Sequence, residues 1–267
     1  MAAMDYLACV DGEVMPVAAA TVPAADEGLL RGDGVFEVMR LYGGRPFAYD
    51  DHMARMGRSA ANLRLPLDVD AVGADVDTLL NRTGEVDALL RVLVTRGGHR
   101  VALVEPVPDL PAAMRLGVVT FAPTRVLDGI KSLSYAANML AGRLARERGF
   151  DEALLVTPHG RVLEGPTSSF FWVRDGIVRT PPLDEHILDS ITRARVLRTV
   201  DVREEPGTLD EVRAADEAFL ASTVREVHPV SAIEDVELAV DGPVTQEAGR
   251  RVRAAIEAEL GATPAGG

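Results

Sequence analysis

Apolar and polar positions alternate near the N-terminus in short runs that read as strands. Residues 8–10 and 13–17 form one pair around the Asp11-Gly12 turn, and 34–41 with 46–49 a second around Tyr42-Gly43-Gly44-Arg45. The period then changes. Met53, Met56, Ala60 and Leu63 fall at helical spacing, which predicts a helix over 52–63 with Asp50-Asp51 as its N-cap candidates, and a second helix over 69–81. Strands return at 88–95 and 100–105 around Gly97-Gly98.

Residues 106–113 carry Pro106, Pro108 and Pro111 and read as a linker between a first domain (1–105) and a second (114–267). In the second, 115–121 reads as a strand. A helix is expected over 132–148, with Leu133, Ala137, Leu140 and Leu144 on one face and Gly149 just past its end. Hairpins follow at 153–156 with 161–163 and at 170–173 with 177–179. Then come a helix from near Ile191, a strand over 217–221, a helix over 245–260 and a tail, 261–267, expected to be disordered. No internal repeat is present.

Composition narrows the function. With 267 residues, 47% hydrophobic and 26% charged, the chain has the make-up of an ordinary globular protein. The net charge of −13 disfavours nucleic acid and anionic membranes as partners. Cys9 is the single cysteine, which excludes an intramolecular disulfide and any multi-cysteine metal site; the histidines lack ligand spacing, so no metal is expected. Neither a leader pattern nor an apolar run of roughly 18 residues is seen, so a cytoplasmic protein is expected.

Of the 28 basic residues, every one but Lys131 is arginine. A guanidinium stays protonated, whereas an amine can lose its proton and join a carbonyl carbon. Lys131 is therefore either a chance survivor or a residue that arginine cannot replace. Its place just before the helix expected at Ser132 favours the second reading, because the positive end of a helix disfavours an ammonium by about 0.3–1 kcal/mol. Gly32, Gly34 and Gly97 lack the strand-to-helix context of a dinucleotide loop and read as turn formers. His52 reads as structural.

Four blocks, in order, carry a resemblance: Arg31-Gly32-Asp33-Gly34-Val35-Phe36-Glu37, Asp51-His52-Met53-Ala54-Arg55-Met56, Ile130-Lys131-Ser132-Leu133-Ser134-Tyr135, and Leu163-Glu164-Gly165-Pro166-Thr167-Ser168-Ser169-Phe170. Thr180-Pro181-Pro182 with 187–193, and Ser222-Thr223 with His228-Pro229-Val230, complete it. Together they resemble the class IV aminotransferases, pyridoxal-phosphate enzymes of fold type IV that include D-amino acid aminotransferases, branched-chain aminotransferases and aminodeoxychorismate lyases. The resemblance implies a two-domain α/β (α+β) fold, with a small N-terminal α/β domain and a larger C-terminal domain around a β-barrel-like core. It also implies pyridoxal 5'-phosphate as cofactor and a homodimer acting on amino acids and 2-oxo acids.

By the same resemblance Lys131 carries the cofactor and then moves the proton, and Glu164 pairs with the pyridine nitrogen. Arg55, the Ile191 and Thr192 amides, the Thr192 hydroxyl, Ser222 and Thr223 hold the phosphate. Tyr135 meets the phenolic oxygen. Phe36 belongs to the substrate pocket, and Arg31, Arg91 and Arg100 are unranked candidates for the substrate carboxylate. Two positions depart from the pattern: Arg31 stands where relatives often carry an aromatic residue, and Ser169 where they usually carry asparagine. Lyase members commonly have threonine at the position of Val38, which lacks the hydroxyl that assists proton delivery. Transamination therefore comes first, with a D-amino acid as the favoured donor. The alternatives are aminodeoxychorismate lyase, an L-branched-chain aminotransferase, and a non-catalytic cofactor carrier.

Overall fold

The computed structural model describes residues 6–261, so the tail beyond Gly261 lies outside the described residues. The chain folds as two compact units. The first runs through Pro108 and also takes in Ile130–Tyr135; the second comprises Asp109–Gly129 and the chain from Ala136 onward.

In the first unit the strands β1 (Leu7–Val10), β2 (Glu13–Pro16), β3 (Gly34–Tyr42), β4 (Arg45–Pro46), β5 (Ala88–Thr95) and β6 (Arg100–Glu105) form one antiparallel sheet in the order β2-β1-β6-β5-β3-β4. Strand side chains alternate between faces. Val35, Met39 and Leu41 of β3, with Leu90, Val92 and Val94 of β5 and Ala102 and Val104 of β6, point toward the core. Met53, Met56 and Ala60 of α2 (Tyr49–Leu63) and Val72, Val76 and Leu79 of α3 (Val69–Thr83) complete that core. A short helix that the sequence pattern did not indicate, α1 (Glu27–Arg31), precedes β3. The start of α2 also differs from expectation: it begins at Tyr49 after Ala48 in the left-handed region (φ 54°), and Asp50 and Asp51 lie in its first turn, where their charge favours the positive helix end.

The segment Ile130–Tyr135 is not the start of a helix, as its pattern suggests. It runs beside β3 as a short strand-like stretch: Val35 bridges Ser132, the Phe36 N–H donates to the Lys131 carbonyl at 3.1 Å, and the Leu133 N–H to that of Gly34 at 2.9 Å. Gly34 permits this approach, since a Cβ there would lie 2.4 Å from the Val94 carbonyl oxygen and 2.6 Å from Leu133 Cδ1. The helix proper, α4, is Ala136–Glu147.

In the second unit β7 (Met114–Thr120), β8 (Glu152–Val156), β9 (Ser169–Arg174), β10 (Ile177–Thr180), β11 (Val202–Glu204), β12 (Glu217–Ser222), β13 (Glu226–Ile233) and β14 (Val236–Glu237) make a mixed sheet. Its order is β11-β10-β9-β12-β13-β7-β8, with β14 on β13; the β10–β11, β13–β7 and β7–β8 pairs are parallel. Residues 161–163 pair with 155–157 through backbone hydrogen bonds, closing the hairpin expected there. The helices are α4 on β7 and β8, α5 (Ile191–Thr199), α6 (Leu209–Arg213) and α7 (Pro243–Gly261). The buried face of α4 is not the leucine face: Ala141, Gly142 and Ala145 are buried, while Leu140 and Leu144 are 49% and 40% exposed. Close packing explains this, because a Cβ on Gly142 would sit 3.2 Å from Glu152 Oε1, and only small residues let the helix come so near. Among the described residues no helix is long and apolar enough to cross a membrane.

Candidate active site

Strand pairing, and not a helix terminus, places Lys131. Its carbonyl accepts from Phe36 and its own N–H donates to Ser59 Oγ on α2 at 3.1 Å, so the backbone is fixed on both sides. The dipole argument for its amine therefore fails, since the nearest helix begins five residues later. Aromatic rings surround the amine instead. Nζ lies 4.2 Å from the Phe36 ring centroid and 5.4 Å from that of Tyr135, and the two rings meet edge to face at 5.2 Å.

The three arginine candidates separate on this sheet. Arg91 stands directly across from Val38, on the face that carries Phe36, with its guanidinium carbon 5.8 Å from the Phe36 centroid and its Nε bonded to Glu105 at 2.8 Å. Arg100 is in register with Val94 on the opposite, helix-covered face, where Nε meets the Asp75 carboxylate at 2.7 Å. Arg31 is 74% exposed and pairs with Glu27 one helical turn away.

Sequence reasoning missed Glu37. It points into the core of the first unit, fully buried, and is gripped by three donors: Arg55 Nε at 2.7 Å, Arg55 Nη2 at 2.6 Å and His52 Nδ1 at 2.8 Å. Burial alone would raise the Glu37 carboxyl, but the hydrogen bonds and charge of Arg55 and His52 outweigh it and hold the pKa at about 2. His52 is pushed down from its ordinary value by burial, against the pull of Glu37, with Arg55 and Lys131 adding to the depression. A neutral His52 that donates from Nδ1 leaves Nε2 as a buried acceptor, and that atom has no partner among the described residues. The signal for this cluster was the one-turn spacing of His52 and Arg55 on a helix, opposite an acidic residue at a core position of β3.

The second unit holds a different set. Glu164 is half-buried, and its Oε1 accepts from the Leu188 N–H at 3.1 Å. Two residues after Leu188, Ser190 caps α5 by accepting from the Arg193 N–H, so the Ile191 and Thr192 amides stand at a helix end without intrahelical acceptors. Arg193, 2% exposed, anchors that helix to the Pro181 carbonyl and Glu204. Ser222 closes β12, with Thr223 next in the turn to β13. Ser169, at the position where asparagine is usual, has a buried Oγ with no partner among the described residues, as does Ser168.

A family model described as amino-transferase class IV matches residues 34–233, a span that begins at β3 and ends with β13. The chain belongs to the class IV aminotransferases. A D-alanine aminotransferase of Bacillus licheniformis is 30% identical over 278 residues, covering 95% of this chain and 98% of its own. A Methanocaldococcus jannaschii protein provisionally named a branched-chain-amino-acid aminotransferase is 35% identical over 240 residues, 80% of this chain and 83% of its own. Among solved structures, a fold IV-transaminase from Curtobacterium pusillum superposes with a TM-score of 0.82 at 32% identity, over 93% of this chain and 99% of that one. The two-sheet α/β architecture of this aminotransferase is thus that of fold type IV, and its cofactor is pyridoxal 5'-phosphate. The residues present suit that group: a primary amine against aromatic rings, a half-buried carboxylate, an uncapped pair of helix N-terminal amides, and hydroxyl donors at a tight turn.

Proposed function

We propose that this aminotransferase moves an amino group from a small D-amino acid to a 2-oxo acid. The observation that carries the reading is the sheet face on which Lys131, Phe36 and Tyr135 gather, with Arg91 directly opposite Val38. When bound, the cofactor supplies an aldehyde carbon that takes up the amino group and a ring that accepts the electron pair left at the substrate α-carbon. Lys131 is the base: its amine would take the proton from the substrate α-carbon and hold it for return, so that one amine serves both transfers. Glu164, held by Leu188, keeps a proton on the pyridine nitrogen. Arg55, Ile191, Thr192, Ser222 and Thr223 take the phosphate, and Tyr135 the phenolic oxygen. Of the arginines, Arg91 is the proposed carboxylate clamp, because Arg31 lies in an exposed pair and Arg100 on the covered face.

Val38 favours transamination over lyase chemistry, since a valine cannot deliver a proton to an eliminated product. The D-donor preference is supported by the string Gly32-Asp33-Gly34-Val35-Phe36-Glu37-Val38 and by likeness to a D-alanine aminotransferase along nearly the whole chain. We also propose a homodimer, for which the exposed Leu29 and Leu30 of α1 and Leu140 and Leu144 of α4 offer apolar surface; light scattering on the purified holoenzyme measures it. Incubation with D-alanine, L-leucine and aminodeoxychorismate tests the function. Pyruvate formed from D-alanine with stoichiometric amination of an oxo acid is the expected result. 4-Aminobenzoate from aminodeoxychorismate, or cofactor binding without turnover, would overturn it.

A further inference from the structure

The turn between β12 and β13 passes through Thr223, Val224 and Arg225, with Ser222 opposite Glu226 in register and Glu226 in the left-handed region (φ 54°). Ser222 Oγ accepts the Arg225 N–H at 3.2 Å. A hydroxyl has one donor and two acceptor positions, so a bond accepted from the turn orients Oγ and still leaves its O–H to donate. The turn residue that supplies this N–H also sends its side chain inward. The Arg225 side chain is 10% exposed; Nη2 donates to Glu152 Oε2 at 2.8 Å, and Nη1 to Thr167 Oγ1 at 3.0 Å.

Both partners are themselves held in place. Glu152 opens β8, is buried, and accepts the Ala153 N–H on its other oxygen at 3.1 Å. Gly142 of α4 passes over that oxygen, at a point where a Cβ would lie 3.2 Å from it and 3.3 Å from Arg146 Nη1. Thr167 lies three residues beyond Glu164, in a stretch braced by the Gly165–Ser168 bridge and by Asn138 Nδ2, which donates to the Pro166 carbonyl at 3.1 Å. The fork of Arg225 thereby joins the hydroxyl-bearing turn to the segment that follows Glu164. Glu152 balances its charge, so its effect on an incoming anion is one of geometry more than of field. Arg225 Nε is buried without a partner among the described residues, a cost the fold tolerates for this arrangement.

We propose that Arg225 is a positioning residue for the cofactor phosphate: clamped by Glu152, it locks the 222–225 turn against the 164–169 segment and fixes the Ser222 and Thr223 hydroxyls before the phosphate arrives. This rests on the proposal that those two hydroxyls hold the phosphate. Pre-ordered donors bind without the entropy cost of ordering a loop, and loosening them weakens ligands that carry the phosphate while sparing those that lack it.

The test compares pyridoxal 5'-phosphate with pyridoxal, each titrated into the apoprotein by absorbance, alongside the melting temperature of the apoprotein. Thr167→Val removes the acceptor of Nη1 without breaking the ion pair, and Arg225→Lys keeps the charge beside Glu152 but loses the fork. Arg225→Met would strand the buried Glu152 and is expected to fold poorly, so the first two variants decide. Each should weaken pyridoxal 5'-phosphate about three- to tenfold, leave pyridoxal within about twofold, and leave apoprotein melting within about 2 °C. On a Ser222→Ala background the Arg225→Lys effect should shrink, as expected for coupled groups. Equal weakening of both ligands, unchanged affinity, or lower apoprotein melting with affinity intact would each overturn the positioning role. A wild-type protein that binds neither ligand would instead overturn the functional proposal on which it rests.

Discussion

Two buried arginine–carboxylate pairs, one in each unit, solve different problems. In the first unit Arg55 grips Glu37 with two nitrogens, on a helix and a central strand, and His52 closes the third side. In the second, Arg225 meets Glu152 through one nitrogen and spends another on Thr167, bridging a turn and an irregular segment. The first pair sits among regular elements whose packing already fixes them, so it adds an ordered charge to an ordered place. The second supplies order where secondary structure does not. Breaking the first pair should therefore cost stability as well as the phosphate contact proposed for Arg55, whereas loosening the second should be felt in ligand affinity with stability nearly unchanged.

The sharpest break comes outside both pairs. Lys131→Ala should lower turnover by about a thousandfold or more while the protein still folds, because it removes the group proposed to move the proton but none of the backbone bonds that hold its segment. Mass analysis after hydride trapping should place the cofactor on Lys131 in the parent and show no adduct in the variant. Full activity in Lys131→Ala would sink the assignment.

Next in size is Glu37→Gln. Removing the charge of Glu37 takes from buried Arg55 the carboxylate it grips with two nitrogens, for which about 3–5 kcal/mol of stability should be lost. Denaturant unfolding measures it. A loss below about 1 kcal/mol would mean that the Glu37 cluster carries little of the first unit's stability, and the contrast with Arg225 would disappear.

How much of this was legible in the residues depends on how local the cause was. Strands β5 and β6 appear at the residues where alternation puts them, because both their faces and their turn are set within a few residues of each other. Helix α2 was visible from its methionines, though its start depended on the backbone at Ala48. The segment around Lys131 was misread as helical because its true partner, β3, lies about a hundred residues away in sequence. The face of α4 was misread for another reason: leucines advertise burial, but a close helix approach selects alanine and glycine. The family blocks pointed to Lys131, Arg55 and Glu164, whereas Glu37 and Arg225 gain their meaning only from partners in other elements.

Acid titration sharpens the comparison further. The folded pKa of His52 is depressed, so below the unfolded value of 6.5 the unfolded chain binds the extra proton and stability falls as the pH drops. Glu37, held at about 2 against an unfolded value near 4.5, contributes stability that is present above that value and is lost as pH falls toward 2, up to about 3 kcal/mol. Unfolding free energy plotted against pH should therefore decline in two stages, and His52→Asn should remove the upper one. A single stage in the parent, or an upper stage that survives in His52→Asn, would show that other groups govern the acid response.

The smallest effects separate the three arginines. Arg91→Leu should raise the KM for amino acids about tenfold with kcat little changed, the pattern of a lost binding contact. Arg100→Leu should leave KM alone and reduce stability, because it strands Asp75 on the covered face of the sheet. Arg31→Ala removes only an exposed helical pair with Glu27, worth about 0.3–0.5 kcal/mol, and should change neither KM nor melting measurably. Steady-state kinetics with paired melting curves distinguishes the three. If Arg31→Ala alone raised KM, the carboxylate clamp would belong on α1, and the sheet face shared by Lys131 and Arg91 would lose its claim to the substrate.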